Sequence, residues 1–297
     1  MKKMARLMDR LAPQEGINET RIDGVRIFRT SEPQPRQPLC YNQGILIVGQ
    51  GFKRVFLGGQ VYEYNPDNYL VMSVPLPAEC ETHASRTEPL LLMFMDIDMG
   101  MLSRIIGQMD DHIDPALLKR RTTHQGLFLA RATPEIKNPV IRLLQVLLSP
   151  VESKVIGPGI LHEILFRIMC GENAAALYAL AMKNTRLSRV DKALKQIHSN
   201  FRDPIDVDKL AGIVNMSPSA FHRAFKEVTA SSPIQYLKKI RLDRARTLLA
   251  EQGIRVNEAA LEVGYESSSQ FSREFKRYFG NSPVSYIGKE RGAELSN

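Results

Sequence analysis

The sequence predicts an α+β protein, in which a small β-barrel or sandwich with added helices precedes an all-helical region built on an internal repeat. From Asp23 to about Asp98, short runs rich in branched and aromatic residues are separated by Gly, Pro and Asn, which is typical of consecutive strands. After Asp98 the apolar residues recur with the helical period. In the helical region, residues 217–237 recur in register as residues 267–287, which indicates two copies of one structural unit.

The N-terminal part is predicted to begin with a helix within residues 1–20, followed by six strands. Gly58 and Gly59 separate two of the strand runs and predict a two-residue hairpin turn. Strands this short and evenly spaced favour a small barrel or sandwich. The predicted runs are GVRIFRT, GILIVGQG, KRVFLGG, QVYEYN, YLVMSV and LLLMFMDI.

Four helices are predicted after the strands, with breakers at Gly157-Pro158 and Gly171. They are MLSRIIGQM, PEIKNPVIRLLQVLLS, GILHEILFRIMC and NAAALYALAM. The third carries a wide apolar stripe, which is either core packed on the barrel or the seam of a dimer. A polar stretch at residues 183–188 then indicates a linker. The expected organisation is an arm at 1–20, a barrel domain at 21–183, a linker at 184–190 and a helical domain at 191–297.

Composition limits the class of protein. The net charge of +8 is compatible with a nucleic-acid partner. Three widely spaced cysteines show no CxxC or Cys/His spacing, so no metal motif is present and a reducing, cytoplasmic location is expected. No run of about 18 apolar residues predicts a membrane-spanning helix.

Each copy of the repeat has the pattern of a helix-turn-helix unit, with a short helix, a tight link and a second helix that is apolar on one face only. Asp206, Ser217 and Ser267 are placed to cap helix N-termini, and Pro218 occupies a first helical position. The inward positions are Phe221, Phe225 and Val228 in the first copy and Phe271, Phe275, Tyr278 and Phe279 in the second.

The outward faces suit DNA. The second helix of such a unit enters the major groove with its N-terminal residues at the base edges. Arg suits guanine, Gln suits adenine and Ser suits either, while Lys and backbone N–H groups at a helix start suit phosphate. A basic run adds to this pattern, although on charge alone it indicates only a solvated helix face. The run comprises Arg223, Lys226, Lys238, Lys239, Arg241, Arg244 and Arg246.

A continuous helix is predicted from Ile234 to Ala250, between the two copies. Its length would be about 25 Å at 1.5 Å per residue. Adjacent turns of one major groove lie about 34 Å apart. A rigid connector of this length can place two recognition helices near adjacent turns of one duplex, so that a single chain reads an asymmetric site.

The segment YESSSQFSREFKRYFGNSPVSYI, with its upstream echo, resembles the DNA-binding domain of AraC/XylS transcriptional regulators over roughly residues 189–290. The resemblance implies seven helices, with two recognition helices joined by a long one, and it implies promoter DNA and RNA polymerase as partners. The first copy departs from the pattern, with Ala230-Ser231 where the second has Gly280-Asn281. The implied base-facing residues are Ser219, His222, Arg223, Ser268, Ser269, Gln270, Ser272 and Arg273. The expected phosphate contacts are Ser217, Lys226, Ser267, Lys276 and Arg277.

The segment GQGFKRVFLGGQVYEYNPDNYLVMSVPLPAECETHAS is similar to the cupin-like sensor domain in one branch of that family, over roughly residues 20–180. This branch is close to regulators of aldehyde-handling genes. The resemblance implies ligand sensing and homodimerisation without identifying the ligand. The strand region has one histidine, His83, where a metal-binding cupin supplies several, so no metal or cofactor is expected.

Cys80, near His83, is the leading candidate for sensing an electrophile such as an aldehyde or an oxidant, and Cys40 is a second. The alternative for Cys80 is a small buried apolar residue. A pocket for a small organic molecule is a further alternative, which Arg54, Tyr62, Tyr64 and Tyr69 would line.

The sequence is therefore interpreted as a two-domain transcriptional regulator that senses a small molecule or electrophile, with activation favoured by the resemblance. Two other classes stay open. One is an architectural DNA-binding protein that does not switch, and the other is a cupin-type enzyme fused to a DNA-binding domain. The enzyme is disfavoured because the metal-ligand cluster of such enzymes is missing from the sequence.

Overall fold

The structure, a computed structural model, describes residues 2–109, 126–171, 174–182, 184–250 and 252–287. The chain divides into two compact units, Met1–Arg36 with Tyr41–Arg189, and Gln37–Cys40 with Val190–Asn297. The first unit combines sheets and helices, and the helices of the second are given below, which confirms the predicted α+β class. Asn173, Lys183 and residues 288–297, at the ends of predicted segments, lie outside the described residues.

Ten strands form two sheets within the described ranges. The first sheet has the order β1-β2-β9-β4-β7-β10, and the second has the order β3-β8-β5-β6. The β5 and β6 strands pair antiparallel around Gly58 and Gly59, whose positive φ angles fit the predicted hairpin turn. The strands are β1 (Gly16–Glu19), β2 (Val25–Thr30), β3 (Gln34–Tyr41), β4 (Gly44–Gln50), β5 (Phe52–Leu57), β6 (Gln60–Tyr64), β7 (Asn68–Met72), β8 (Leu76–His83), β9 (Leu90–Met95) and β10 (Leu127–Arg131).

Helices cover the first sheet. Helix α1 contacts β2, β4 and β9, and it buries Met4, Leu7 and Met8. The predicted apolar stripe of α5 is core of this unit, because five of its members are almost fully buried: Ile160, Ile164, Leu165, Ile168 and Met169. The helices of the first unit are α1 (Lys2–Leu11), α2 (Met99–Met109), α3 (Pro134–Val146), α4 (Pro150–Val155), α5 (Gly157–Met169) and α6 (Ala175–Ala181).

The second unit has seven helices within the described residues, as the family resemblance implies. They are α7 (Arg186–Ser199), α8 (Val207–Ile213), α9 (Pro218–Thr229), α10 (Pro233–Ala250), α11 (Val256–Glu262), α12 (Ser268–Phe279) and a short helix at 283–287. Helix α7 begins inside the segment that the sequence indicates as a linker. Helix α10 is the predicted connector, and its 18 residues span about 27 Å.

The repeat of the sequence is also a repeat of the packing. Phe221 and Phe225 are fully buried with ring centroids 5.5 Å apart, and Phe271 and Phe275 repeat this arrangement at the same separation. A tyrosine follows each pair, with Tyr236 5.5 Å from Phe225 and Tyr286 5.8 Å from Phe275. Each helix-turn-helix unit therefore has its own aromatic core.

The predicted caps are confirmed. The Ser217 hydroxyl accepts a hydrogen bond from the Ala220 N–H, the Ser267 hydroxyl accepts from Gln270, and the Asp206 carboxylate accepts from Lys209. These bonds satisfy N–H groups that the first helical turn leaves without partners.

The turns of the two units differ by one residue. Asn215 and Gly264 occupy the same place, with φ of 53° and 82°, and Met216 and Tyr265 follow them. Ser217 then caps α9 at once, whereas Glu266 intervenes before the cap of α12. The fifty-residue register of the repeat therefore starts only at the caps.

The C-terminal ends of α9 and α12 both use a left-handed residue, Ala230 with φ of 54° and Gly280 with φ of 79°. A left-handed alanine costs roughly 1–2 kcal/mol, while glycine adds about 0.5–1 kcal/mol of entropy cost on folding. We expect Ala230→Gly to raise the free energy of unfolding by about 0.5–1 kcal/mol, measured by urea titration of the full chain. Ala220→Gly, inside α9, is the matched control and should lower it by a similar amount. A loss of stability in both variants would contradict the strain at Ala230.

Candidate nucleic-acid interface and sensor site

Helices α9 and α12 turn their predicted base-facing side chains to solvent. The buried pairs Phe221/Phe225 and Phe271/Phe275 fix the rotation of each helix, so the opposite face is exposed. The exposed members of the set are Ser219, His222, Arg223, Ser269, Gln270 and Arg273, while Ser268 and Ser272 are half-buried.

Arg223 and Arg273 occupy equivalent positions in the two copies. Over the part of the chain that the structure describes, neither guanidinium has a hydrogen-bond or ion-pair partner. Both side chains are exposed. A free, exposed guanidinium can donate two parallel hydrogen bonds to the O6 and N7 atoms of guanine.

The predicted phosphate contacts flank these faces. Lys226, Lys276 and Arg277 are exposed near the last turns of α9 and α12. The Ser217 and Ser267 hydroxyls already accept the cap hydrogen bonds, so each can still donate its own hydrogen to a phosphate oxygen. The helix starts thus offer hydroxyl and backbone donors together.

The basic run predicted as one surface is divided in the structure. Lys238, Lys239 and Arg246 contact partners of their own domain: Lys238 pairs with Glu274 at 2.9 Å, Lys239 donates to the Ser231 hydroxyl, and Arg246 pairs with Asp243 at 3.2 Å. These three side chains are therefore held by contacts within the domain, whereas Arg223, Lys226 and Arg244 of the run are exposed.

Arg241 of α10 holds two loops together. Its guanidinium donates to the carbonyls of Phe201, Arg202 and Asp203, which follow α7, at 2.7 to 3.0 Å. It also donates to the carbonyl of Gly264, in the turn of the second unit, at 2.8 Å. One side chain therefore ties the entrance of the first helix-turn-helix unit to the turn of the second.

Glu274 braces α12 in a way that the sequence did not predict. Its carboxylate accepts hydrogen bonds from Lys238 of α10, from the Tyr265 hydroxyl at 2.9 Å and from the Gln270 amide at 3.2 Å. Burial alone would raise the pKa of Glu274, but these hydrogen bonds outweigh it and lower the pKa. The brace orients Gln270 while leaving its amide oxygen and second N–H for a base. The first copy has Ala224 at this position and lacks the brace.

The sensor candidates of the first unit are not brought together. Cys80 is 2% exposed and lies on the inner face of β8, whereas the alternation of that strand places His83 on the opposite face. The His83 ring stacks on Phe52 at 4.2 Å, and its Nε2 lies 3.3 Å from Glu81. His83 therefore cannot act directly on the Cys80 thiol.

Cys40 lies in β3, in the stretch Gln37–Cys40 that groups with the second unit, and it is partly exposed. Burial of its thiol raises the pKa of Cys40 well above the ordinary value. The thiol is then protonated at neutral pH, which is the less nucleophilic form. Its role as a sensor stays a prediction.

The four residues proposed to line one pocket are not all brought together, although Tyr62 and Tyr64 share one face of β6. Arg54 is on the outer face of β5, paired with Glu63 at 2.9 Å, while Tyr64 is fully buried on the inner side. Tyr69 instead lines a cavity of 580 Å³ beside α3 and α5, together with Arg131 and Arg167. The residue that sequence reasoning missed is Lys53, which is 5% exposed inside the barrel.

No helix within the described ranges is both long and apolar enough to cross a membrane. Across the same ranges, no three His, Cys, Asp or Glu side chains are grouped so that they can hold a metal ion.

Comparison with known proteins places the chain in a family. Residues 21–176, just over half of the chain, match the family model for the AraC-type transcriptional regulator N-terminus. The chain belongs to the AraC family. Residues 210–289 match a model for a helix-turn-helix domain, which includes both recognition helices. The double helix-turn-helix expected from the repeat is therefore the DNA-binding domain of an AraC-family regulator.

Relatives support the same assignment. The chain is 34% identical over 91 residues to the HTH-type transcriptional regulator GbdR of Pseudomonas aeruginosa, covering 31% of this chain and 25% of that protein. It is 33% identical over 85 residues to the HTH-type transcriptional activator RhaS of Escherichia coli, covering 29% of this chain and 31% of that protein. The chain thus spans about a quarter to a third of the length of these relatives. Both are named as regulators of transcription.

A solved structure of ToxT from Vibrio cholerae resembles the fold along most of the chain. The TM-score is 0.56 at 13% sequence identity, and the match covers 89% of this chain and 97% of that one. At this identity the likeness shows a shared fold of the AraC type and nothing further.

Proposed function

We propose that this chain is a sequence-specific regulator of transcription that binds double-stranded promoter DNA through α9 and α12. The observation that carries the proposal is the pair Arg223 and Arg273, at equivalent positions of the repeat, both exposed and both without a partner among the described residues. An arginine on the base-facing side of a recognition helix reads guanine. Base reading is assigned to the N-terminal and central positions of both helices, and phosphate contacts to Ser217, Lys226, Ser267, Lys276 and Arg277.

The N-terminal unit is proposed to sense a small molecule, and the regulator to act as an activator that works with RNA polymerase as a homodimer. The activator role is supported by the naming of RhaS. The sensing role of this unit is supported by its match to the family model for the AraC-type transcriptional regulator N-terminus.

The division between base and phosphate contacts gives a direct prediction. Arg273→Ala should weaken binding to the cognate site by about 1–3 kcal/mol and relax the preference at one base position. Lys276→Ala should weaken binding to all sequences alike and reduce the salt slope of log K by about one unit. The measurement is the Kd of the full chain on a site selected from random DNA and on unselected DNA, at several salt concentrations.

Arg244→Ala is the matched control, since this exposed arginine lies on α10 and is not among the predicted base or phosphate contacts. It should leave the preference for bases unchanged. An equal effect of Arg273→Ala on selected and unselected DNA would overturn the assignment of base reading to this residue.

A further inference from the structure

Four groups that can ionise or react lie together inside the barrel: Lys53, Cys80, Tyr41 and Tyr64. Each is at most 5% exposed. Lys53 stands on the inner face of β5, where Tyr64 of β6 and Thr82 of β8 are its direct cross-strand neighbours. Cys80, two residues before Thr82 on β8, is the diagonal neighbour. The Tyr41 and Tyr64 hydroxyls are 3.5 Å apart.

The Lys53 amine has no carboxylate partner within the described residues. Its Nζ lies over the rings of Phe28 and Tyr41, at 5.5 and 5.7 Å from their centroids, and Cys80 is on the same face of the neighbouring strand β8. Burying an ammonium group without a counter-charge is costly, and the group responds by favouring its neutral form. Burial accordingly lowers the pKa of Lys53, although the nearby thiol partly offsets this. The neutral amine is the nucleophilic form of lysine.

The Thr82 hydroxyl provides an independent indication of a ligand. Thr82 is 1% exposed, and its Oγ1 has no hydrogen-bond partner in the part of the chain that the structure describes. Leaving a buried hydroxyl unpaired costs about 1–3 kcal/mol. Because Thr82 is directly opposite Lys53, its hydroxyl can donate to an oxygen atom carried by a molecule bound at the amine.

We propose that Lys53, with Cys80 and Thr82, forms a site that captures a small carbonyl compound as an imine. This inference rests on the proposed function, because it names the effector class of the sensor unit. The Lys53 nitrogen adds to the carbonyl carbon, a C–N bond forms, and a proton passes to the oxygen to give a carbinolamine. The carbinolamine then loses water and becomes the imine. One water molecule is released, and no oxidant or reductant is consumed.

The surroundings match these steps. The Thr82 hydroxyl donates to the carbonyl oxygen and then to the carbinolamine oxygen, where negative charge develops. The Cys80 thiol, on the diagonal cross-strand neighbour of Lys53, can pass a proton between nitrogen and oxygen. The rings of Phe28 and Tyr41 supply apolar surface for the carbon chain and keep water from hydrolysing the product. A carboxylate ligand would instead form an ion pair and no covalent bond.

The test uses the full chain, propanal and sodium cyanoborohydride, which reduces an imine to a stable propylated amine. After digestion, mass spectrometry locates the modified lysines. We expect Lys53 to be propylated at propanal concentrations that leave Lys209 unmodified, although the Lys209 side chain is 81% exposed. Lys53→Arg should abolish this early labelling, and Thr82→Val should slow it about tenfold, as expected for loss of one hydrogen bond.

Hydrogen exchange of the β5 and β8 peptides establishes that each variant keeps the barrel. Labelling of Lys209 with Lys53 unmodified would overturn the proposal. So would protection of the barrel by propionate but not by propanal, since that result identifies a carboxylate site. DNA binding is measured separately through Arg223 and Arg273, so either outcome here leaves the test of the regulator independent.

Discussion

Gly264→Ala is expected to unfold the second helix-turn-helix unit. Gly264 has a φ of 82°, and a Cβ placed on it would lie 2.2 Å from the carbonyl oxygen of Arg202. The carbonyl carbon and Cα of Arg202 would lie 2.9 and 3.0 Å away. These are backbone atoms that cannot rotate aside, so the turn between α11 and α12 must move.

Two costs add at this position. A left-handed alanine costs a net of about 0.5–1 kcal/mol relative to glycine, and overpacking typically costs about 1–3 kcal/mol, so the expected loss is about 1.5–4 kcal/mol. The movement also breaks the hydrogen bond of 2.8 Å that the Arg241 guanidinium donates to the Gly264 carbonyl. The measurement is hydrogen exchange of peptides from residues 256–287 in the full chain, which reports local opening.

Gly280→Ala is the matched control. Gly280 has nearly the same φ, 79°, and a Cβ there would meet nothing within 4 Å. It should therefore lose only the net conformational cost of about 0.5–1 kcal/mol, the reverse of the gain expected for Ala230→Gly. Equal losses in the two variants would show that contact with the Arg202 backbone does not matter.

Arg241→Met should be the second large loss, about 3–5 kcal/mol, because it leaves the carbonyls of residues 201–203 and 264 without a charged donor. Methionine keeps an apolar, unbranched stem but lacks the guanidinium, whose carbon lies 6.0 Å from the Tyr265 ring centroid, so the change isolates the guanidinium. Arg241→Lys should recover little, since one ammonium group cannot reproduce the planar fork.

The effect should reach both helix-turn-helix units, since Arg241 contacts the loop before α8 and the turn before α12. Hydrogen exchange in residues 201–215 and 260–270 should rise together. Arg244→Met, three residues further along α10 and exposed, is the control and should change neither segment. Faster exchange confined to residues 260–270 would mean that Arg241 does not couple the two helix-turn-helix units.

The sequence predicted what local patterns encode. The repeat, the N-caps at Ser217 and Ser267 and the strand runs with a continuous apolar face all have short-range signatures, and the structure confirms them. The four strands that were missed lack such signatures. Three of them, β1, β3 and β10, are edge strands, and β3 contains Pro35 and Pro38, which only an edge tolerates.

The fourth missed strand, β8, has no obvious strand pattern in the sequence, because its outer face carries charged residues. Glu79 pairs with Arg36, and Glu81 lies 3.5 Å from Arg54. Long-range contacts of this kind leave no trace in local periodicity. The same is true of Arg241, whose hydrogen-bond partners lie 23 to 40 residues away along the chain. It is also true of the contact between Glu274 and Lys238, whereas the other two partners of Glu274, Tyr265 and Gln270, are local.

The burial of Lys53 could have been predicted from the sequence. In the run KRVFLGG, strand alternation places Lys53 on the face of Val55 and Leu57, which is the face that the structure buries. A lysine in phase with the apolar residues of a strand was the available signal.

We propose that one chain reads two adjacent turns of DNA through equivalent helices. The most direct measurement is selection of binding sites by the full chain from random double-stranded DNA, repeated with Arg223→Ala and Arg273→Ala. We expect a motif of two blocks about 10 base pairs apart, with each substitution erasing the preference in a different block. Recovery of no enriched sequence, or of a single block that neither substitution changes, would contradict the claim.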